Sequence, residues 1–210
     1  MDDRERGLAH ALTRPQMVMI AMGGAIVAAI LLVAAGLLLW AGNFANNTVS
    51  QQLADQRITM PSGAAIADPQ IKPYLEQYAG QPLTTGAQAQ AYADHYILVH
   101  MNTASKGKTY GEVSAAYTAL TKDTNADPAA VKAAGDLRQT MFMGDTLRGM
   151  LLNAYAFGTL GTIAIYAAIA SLIGAAAMAA LSLLGWRHLR RVPAEEEVRL
   201  GRRQAVPAPA

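Results

Sequence analysis

Apolar residues fall along this chain in two long stretches, separated by a segment with mixed, helix-periodic character. Residues 149–186 pass for 38 positions without a formal charge and then run into Arg187-His188-Leu189-Arg190-Arg191. A second uncharged stretch covers residues 15–54, with its apolar heart at 17–41. Crossing a bilayer core of roughly 30 Å takes about 20 apolar residues, so both stretches are long enough. Residues 149–186 as one helix would measure about 57 Å, nearly twice that core. Tyr166 and Trp186 lie about 30 Å apart along such a helix, the separation of two aromatic belts. The pattern therefore predicts an all-α chain with a cytoplasmic leader at 1–16 and a first transmembrane helix at 17–41. An extracytoplasmic helical domain at 42–162, a second transmembrane helix at 163–186 and a basic cytoplasmic tail at 187–210 follow. The second span is expected to continue a long emergent helix, 149–162, packed against the outer domain.

Between the spans the period is helical. The first helix is expected to run on to Arg57, after which Pro61, Pro69, Pro73, Pro82 and several glycines make the chain irregular. Asp68-Pro69 can start a short helix that Gly80 ends. Thr85-Gly86-Ala87-Gln88 and Thr109-Tyr110-Gly111-Glu112 both have the capping-box pattern, Thr followed three residues later by Gln or Glu. The helix after the first box has Ala89, Tyr92, Ala93, Tyr96, Val99 and His100 on one face. The helix after the second has Tyr110, Val113, Tyr117 and Leu120. Asp127-Pro128 starts a third, with Val131, Ala134, Leu137 and Met141 on one side and Gly144-Asp145 as a break point. No segment alternates as a strand would.

Charge orients the chain. Arg14 precedes the first span, and Arg187, Arg190 and Arg191 follow the second. Basic residues beside span ends mark the cytoplasmic side, so both termini are expected inside and residues from about 43 to 160 outside. The middle, 42–148, carries eight basic and nine acidic residues, and a loop of that length is nearly exempt from the rule. The apolar stretch at 17–41 exceeds a signal-peptide core, and no clean small-x-small site follows it. It reads as an uncleaved anchor. Cysteine is absent, which removes disulfides, thiolate metal sites and Cys nucleophiles.

Candidate chemistry is sparse. His95 and His100 stand five residues apart, so on an α-helix their rings diverge by about 140° and do not share an ion. His100 reads as buried and hydrogen-bonded, His95 as partly exposed. Lys106-Gly107-Lys108-Thr109 has the end of a phosphate-binding loop, but Asn102 stands where the first glycine belongs, so no nucleotide is expected. Asp145 and Arg148 are placed for a salt bridge one helical turn apart. Arg148, the last charge before the apolar run, reads as an interfacial anchor or as a ligand for an anion or lipid phosphate. Asn153 and Tyr155 could hydrogen-bond neighbouring helices. Neither span carries Asp, Glu, Lys, Arg or His, which argues against a proton relay or ion-coupled transport. Ala167, Ser171, Ala175 and Ala179 recur every four residues, and the first span offers Gly24 and Ala28 as small-residue packing positions, with Ala35 and Gly36 further out. That packing joins the two spans of one chain or forms a homo-oligomeric seam.

Three runs, 89–96, 107–114 and 142–155, are specific as a group. They comprise Ala-Gln-Ala-Tyr-Ala-Asp-His-Tyr, Gly-Lys-Thr-Tyr-Gly-Glu-Val-Ser, and Phe-Met-Gly-Asp-Thr-Leu-Arg-Gly-Met-Leu-Leu-Asn-Ala-Tyr. Across about residues 50–191 the chain resembles a group of actinobacterial two-span membrane proteins of unknown function. Some of these carry the label of aromatic ring-opening dioxygenases, which implies a protein-held iron, commonly on two His and a carboxylate. No such set is recognisable by spacing here. The expectation is a non-enzymatic membrane protein presenting its outer domain for interaction or assembly. A ligand-binding sensor module and an oligomeric pore are the alternatives. Membrane lipids, other membrane proteins or a second copy are the expected partners, with no cofactor, metal or nucleic acid.

Overall fold

The computed structural model describes residues 14–191, so the leader before Arg14 and the tail beyond Arg191 lie outside the described residues. Six α-helices occur in it: α1 Arg14–Asp55, α2 Lys72–Leu75, α3 Gly86–Tyr92, α4 Leu98–Ser105, α5 Tyr110–Lys122 and α6 Pro128–Arg191. A π-turn, Ala93–Ile97, joins α3 to α4, and short 3₁₀ turns occupy Gly63–Ile66 and Glu76–Tyr78. Among the described residues the only extended pairing is an isolated bridge between Thr59 and Pro82. α1 and α6 are both long and apolar enough to cross a membrane. By contacts the chain divides into two units: residues 14–40 with 165–191, and Ala41–Ala164.

Each capping box forms. Thr85 Oγ1 accepts from the Gln88 amide while Gln88 Oε1 accepts from the Thr85 amide, and Thr109 and Glu112 repeat the exchange. Asp127 Oδ1 accepts from the Ala129 amide at the start of α6. These side chains satisfy amides that the first helical turn leaves unpaired. The short helix before them begins at Lys72, with Pro73 in its first turn, rather than at Asp68-Pro69. Asp68 instead folds a local turn, its Oδ1 accepting from the Gln70 amide.

The core of the Ala41–Ala164 unit gathers around this irregular stretch. Met60, Ile71, Leu75 and Leu83 are its largest fully buried side chains. Met60 donates its amide to Gln81 O and Leu83 donates to Ile58 O, so the strap 58–83 closes on itself. Val49 and Leu53 from α1, Ile97 and Met101 from the π-turn and α4, Val113 from α5, and Met141 and Leu151 from α6 complete the cluster. Helix α6 does not break at Gly144-Asp145. A Cβ on Gly144 would stand 2.5 Å from Met101 Sδ and 2.8 Å from its Cγ, so this glycine lets α4 approach α6 closely.

Candidate functional site

The polar centre of the Ala41–Ala164 unit is built around Arg148. Its Nη2 donates to Asp94 Oδ1 at 3.0 Å and its Nε donates to the Ala93 carbonyl at 3.1 Å. Asp145, the partner expected from spacing, lies at 3.9 Å and is about half exposed. Asp94 takes precedence because the π-turn changes the register of its helix. That carbonyl of Ala93 already receives the Leu98 amide, five residues on, and still has a lone pair for Arg148. With the inserted residue, burial follows Ala89, Ala93, Ile97, Met101 and Ser105. Of the expected face, Tyr96 and Val99 pack against the edge of this core, part-buried, and His100 is turned outward. π-turns of this kind recur at functional sites.

His100 is exposed, contrary to the buried role expected of it. Its Nδ1 meets the Tyr96 carbonyl at 2.8 Å, and because a carbonyl oxygen can only accept, Nδ1 is the donor. His95 is half-buried and stacks on Tyr74, with ring centroids 3.5 Å apart and planes within 3°. The two histidines serve different neighbours. Among the described residues no three His, Cys, Asp or Glu side chains converge as a metal site would require. Tyr92 stacks on Tyr96 at 5.1 Å. Burial, and then its neighbour Tyr96, push the Tyr92 phenol above its ordinary value. At Glu112 the Thr109 amide and then the Thr109 hydroxyl hold the carboxyl below its ordinary value.

Asn153 is exposed and Tyr155 is half-buried. Among the described residues neither side chain makes a hydrogen bond. What Tyr155 contributes is backbone: a Cβ on Gly86 would sit 3.1 Å from Tyr155 Cα, so the first turn of α3 abuts α6 directly. A groove of about 440 Å³ is lined by Asp68, Ile71, Tyr96, Val99, His100 and Thr103, among others. A second, of about 370 Å³, runs between the C-terminal end of α1 and α6 and includes Leu147, Met150 and Asn153.

In the other unit the two apolar helices meet along a seven-residue repeat. Ala21, Ala28 and Ala35 are buried on α1, as are Ala168, Ala175, Ser182 and Leu189 on α6. Gly185 faces Ala21, Gly24 faces Ser182 and Met178, and Gly174 faces Leu31. That order makes the segments antiparallel. Apolar contacts every 3.5 residues on average define a left-handed coiled-coil seam, and small residues at the seven-residue positions bring the backbones close. Gly24 and Ala28 sit in this seam. Of the four-residue set, Ala175 is buried and Ala167, Ser171 and Ala179 are half-buried on its flanks. Steps of four residues rotate about 40° each, so that set crosses the seam rather than following it. The signal missed was the heptad, which was legible as Ala21–Ala28–Ala35 and Ala168–Ala175–Ser182.

Compared with protein-family models, curated proteins and solved structures, the chain matches none.

Proposed function

We propose that the chain is a two-span integral membrane protein whose outer helical unit serves non-enzymatic interaction or assembly. The observation that carries the membrane reading is the outward direction of the apolar side chains on α1 and α6. In the most apolar window of each helix only 17% of positions are buried. Ile20, Ile30, Val33, Leu37, Ile173, Leu181 and Leu183 are all exposed. A core helix of a soluble protein would bury such residues, because each gains roughly 1.5–3 kcal/mol on leaving water. A bilayer offers the same relief. Arginines next to both spans favour cytoplasmic termini and an outer segment from about 43 to 160.

The interaction role rests on α6 beyond its span. Met143, Leu147 and Met150 fall on one helical stripe in the outer unit and are exposed, and solvent-facing apolar stripes of this kind mark contact surfaces. A sensor role is the second reading. The groove beside Tyr96, His100 and Asp68 supports it, combining an aromatic edge, an imidazole and a carboxylate in the size range of small-ligand sites.

Topology is tested with single cysteines at Ser62 and Ala208 and an impermeant thiol reagent on intact cells. Labelling of the first alone is expected; labelling of the second alone reverses the orientation. Cross-linking in native membranes, alongside a metal and ligand screen on the purified chain, tests the role. A specific higher-mass band lost in Met150→Asp supports assembly. A tightly bound metal or a ligand that alters turnover of a substrate overturns it.

A further inference from the structure

The seam between the apolar segments of α1 and α6 is incomplete at the end nearest the arginines. A cleft of about 210 Å³ opens there, lined by Met17, Ala21 and Gly24 from α1 and Met178, Ser182 and His188 from α6, among others. Its walls are almost wholly apolar. The exceptions are His188 and Ser182, which is 94% buried and whose Oγ has no hydrogen-bond partner among the described residues. A Cβ on Gly24 would collide with that Oγ, so a side chain at position 24 would displace the hydroxyl from this wall. Serines in apolar helices ordinarily return their proton to the carbonyl four residues back. Ser171 does so in the same helix, donating to Ala167 O at 2.9 Å. Ser182 does not, and a buried hydroxyl without a partner is destabilising.

We propose that this cleft is a binding site for one membrane glycerophospholipid, with an acyl chain against Met17, Ala21 and Met178, an ester carbonyl accepting from Ser182 Oγ, and the phosphate at His188. The proposal rests on the membrane reading above. Three features fit one ligand. The cleft is larger than cavities that hold a benzene ring yet too small for a whole lipid, so it takes a stretch of chain. Ser182 requires a carbonyl-type acceptor, because its own proton is unspent. His188 lies six residues further on, about 9 Å along the axis, close to the roughly 5–8 Å depth of a headgroup layer. Arg187, Arg190 and Arg191 surround it in sequence, which raises the local concentration of anionic headgroups.

The test uses the full chain, purified in detergent and stripped of lipid, then titrated with phosphatidylglycerol or with diacylglycerol of the same chains. Thermal unfolding reads binding by linkage, and native mass spectrometry counts retained lipid. For the parent, phosphatidylglycerol raises Tm and a single lipid is retained. Lipid-free Ser182→Ala unfolds no earlier than the parent, since it loses only an unpartnered hydroxyl. It binds phosphatidylglycerol about threefold to tenfold more weakly, the effect of one net hydrogen bond. His188→Ala keeps diacylglycerol binding and loses the preference for phosphatidylglycerol. Equal binding by parent and Ser182→Ala, earlier lipid-free unfolding of Ser182→Ala, or identical binding of the two lipids overturns the site. Release of the chain from membranes by alkaline carbonate would instead overturn the membrane reading, whereas an embedded chain that retains no lipid overturns the site alone.

Discussion

Replacing Arg148 tests whether the Ala41–Ala164 unit is organised around the π-turn. In Arg148→Met the aliphatic stem is kept and the guanidinium is lost, which removes the bonds to Asp94 Oδ1 and Ala93 O. The side chains of Arg148 and Asp94 are 21% and 30% exposed. The pair therefore lies between a surface ion pair, worth about 0–1 kcal/mol, and a fully buried one, whose disruption costs about 3–5 kcal/mol. Hydrogen bonds to charged groups contribute about 1.5–3 kcal/mol. A loss of about 2 kcal/mol is expected, which for a chain of this size lowers Tm by about 4–8 °C. Arg148→Lys recovers only part of it, since an ammonium can reach Asp94 but cannot reproduce the fork. Asp145→Asn, at the looser and more exposed partner, should stay within about 0.5 kcal/mol. The assay is thermal unfolding in detergent with a double-mutant cycle through Asp94→Asn, where a coupling of about 1 kcal/mol is expected. Strict additivity of Arg148→Met and Asp94→Asn would refute the reasoning. So would an Asp145→Asn variant as unstable as Arg148→Met.

Three further outcomes follow from packing and charge. Ala175→Leu, at a fully buried seam position, should lower Tm by several degrees, whereas Ile173→Leu, at 66% exposure, should be silent; matching unfolding curves would dissolve the seam. In α6, Gly149→Ala enters open space and should gain about 0.5–1 kcal/mol of helix propensity. Gly144→Ala meets Met101 and should lose about 1 kcal/mol net, because overpacking of about 1–3 kcal/mol outweighs the same gain; equal shifts in denaturant midpoint would contradict this. Because Glu112 is held below its ordinary value, its stabilisation is present above the unfolded carboxylate pKa and is lost as pH falls through the folded one. Acid titration followed by circular dichroism should therefore show parent helix lost in that window and Glu112→Gln insensitive there. An unchanged acid limb in Glu112→Gln would count against the cap.

Local information settled much of this protein. Each capping box lies within four consecutive residues, so Thr85-Gln88 and Thr109-Glu112 were legible without any knowledge of what packs around them. Length and absence of charge marked the two apolar helices in the same way, because helix rise and the cost of burying charge do not depend on tertiary context. The faces of α5 and the first part of α6 followed from a 3.6-residue period that nothing interrupts. Tertiary packing decided the rest. The π-turn at Ala93–Ile97 adds one residue to a turn and so rotates everything after it. It turns His100 out to solvent and brings Asp94 to an arginine 54 residues away, a pairing that no spacing rule encodes. Gly144 reads in sequence as a break and serves in the fold as a close approach, since the same missing side chain permits either. The seam was a choice between two periods, four and seven, both present in the alanines of the second apolar stretch. Only a partner helix distinguishes them, because contact persists along two supercoiled helices for the seven-residue spacing and drifts away for the other.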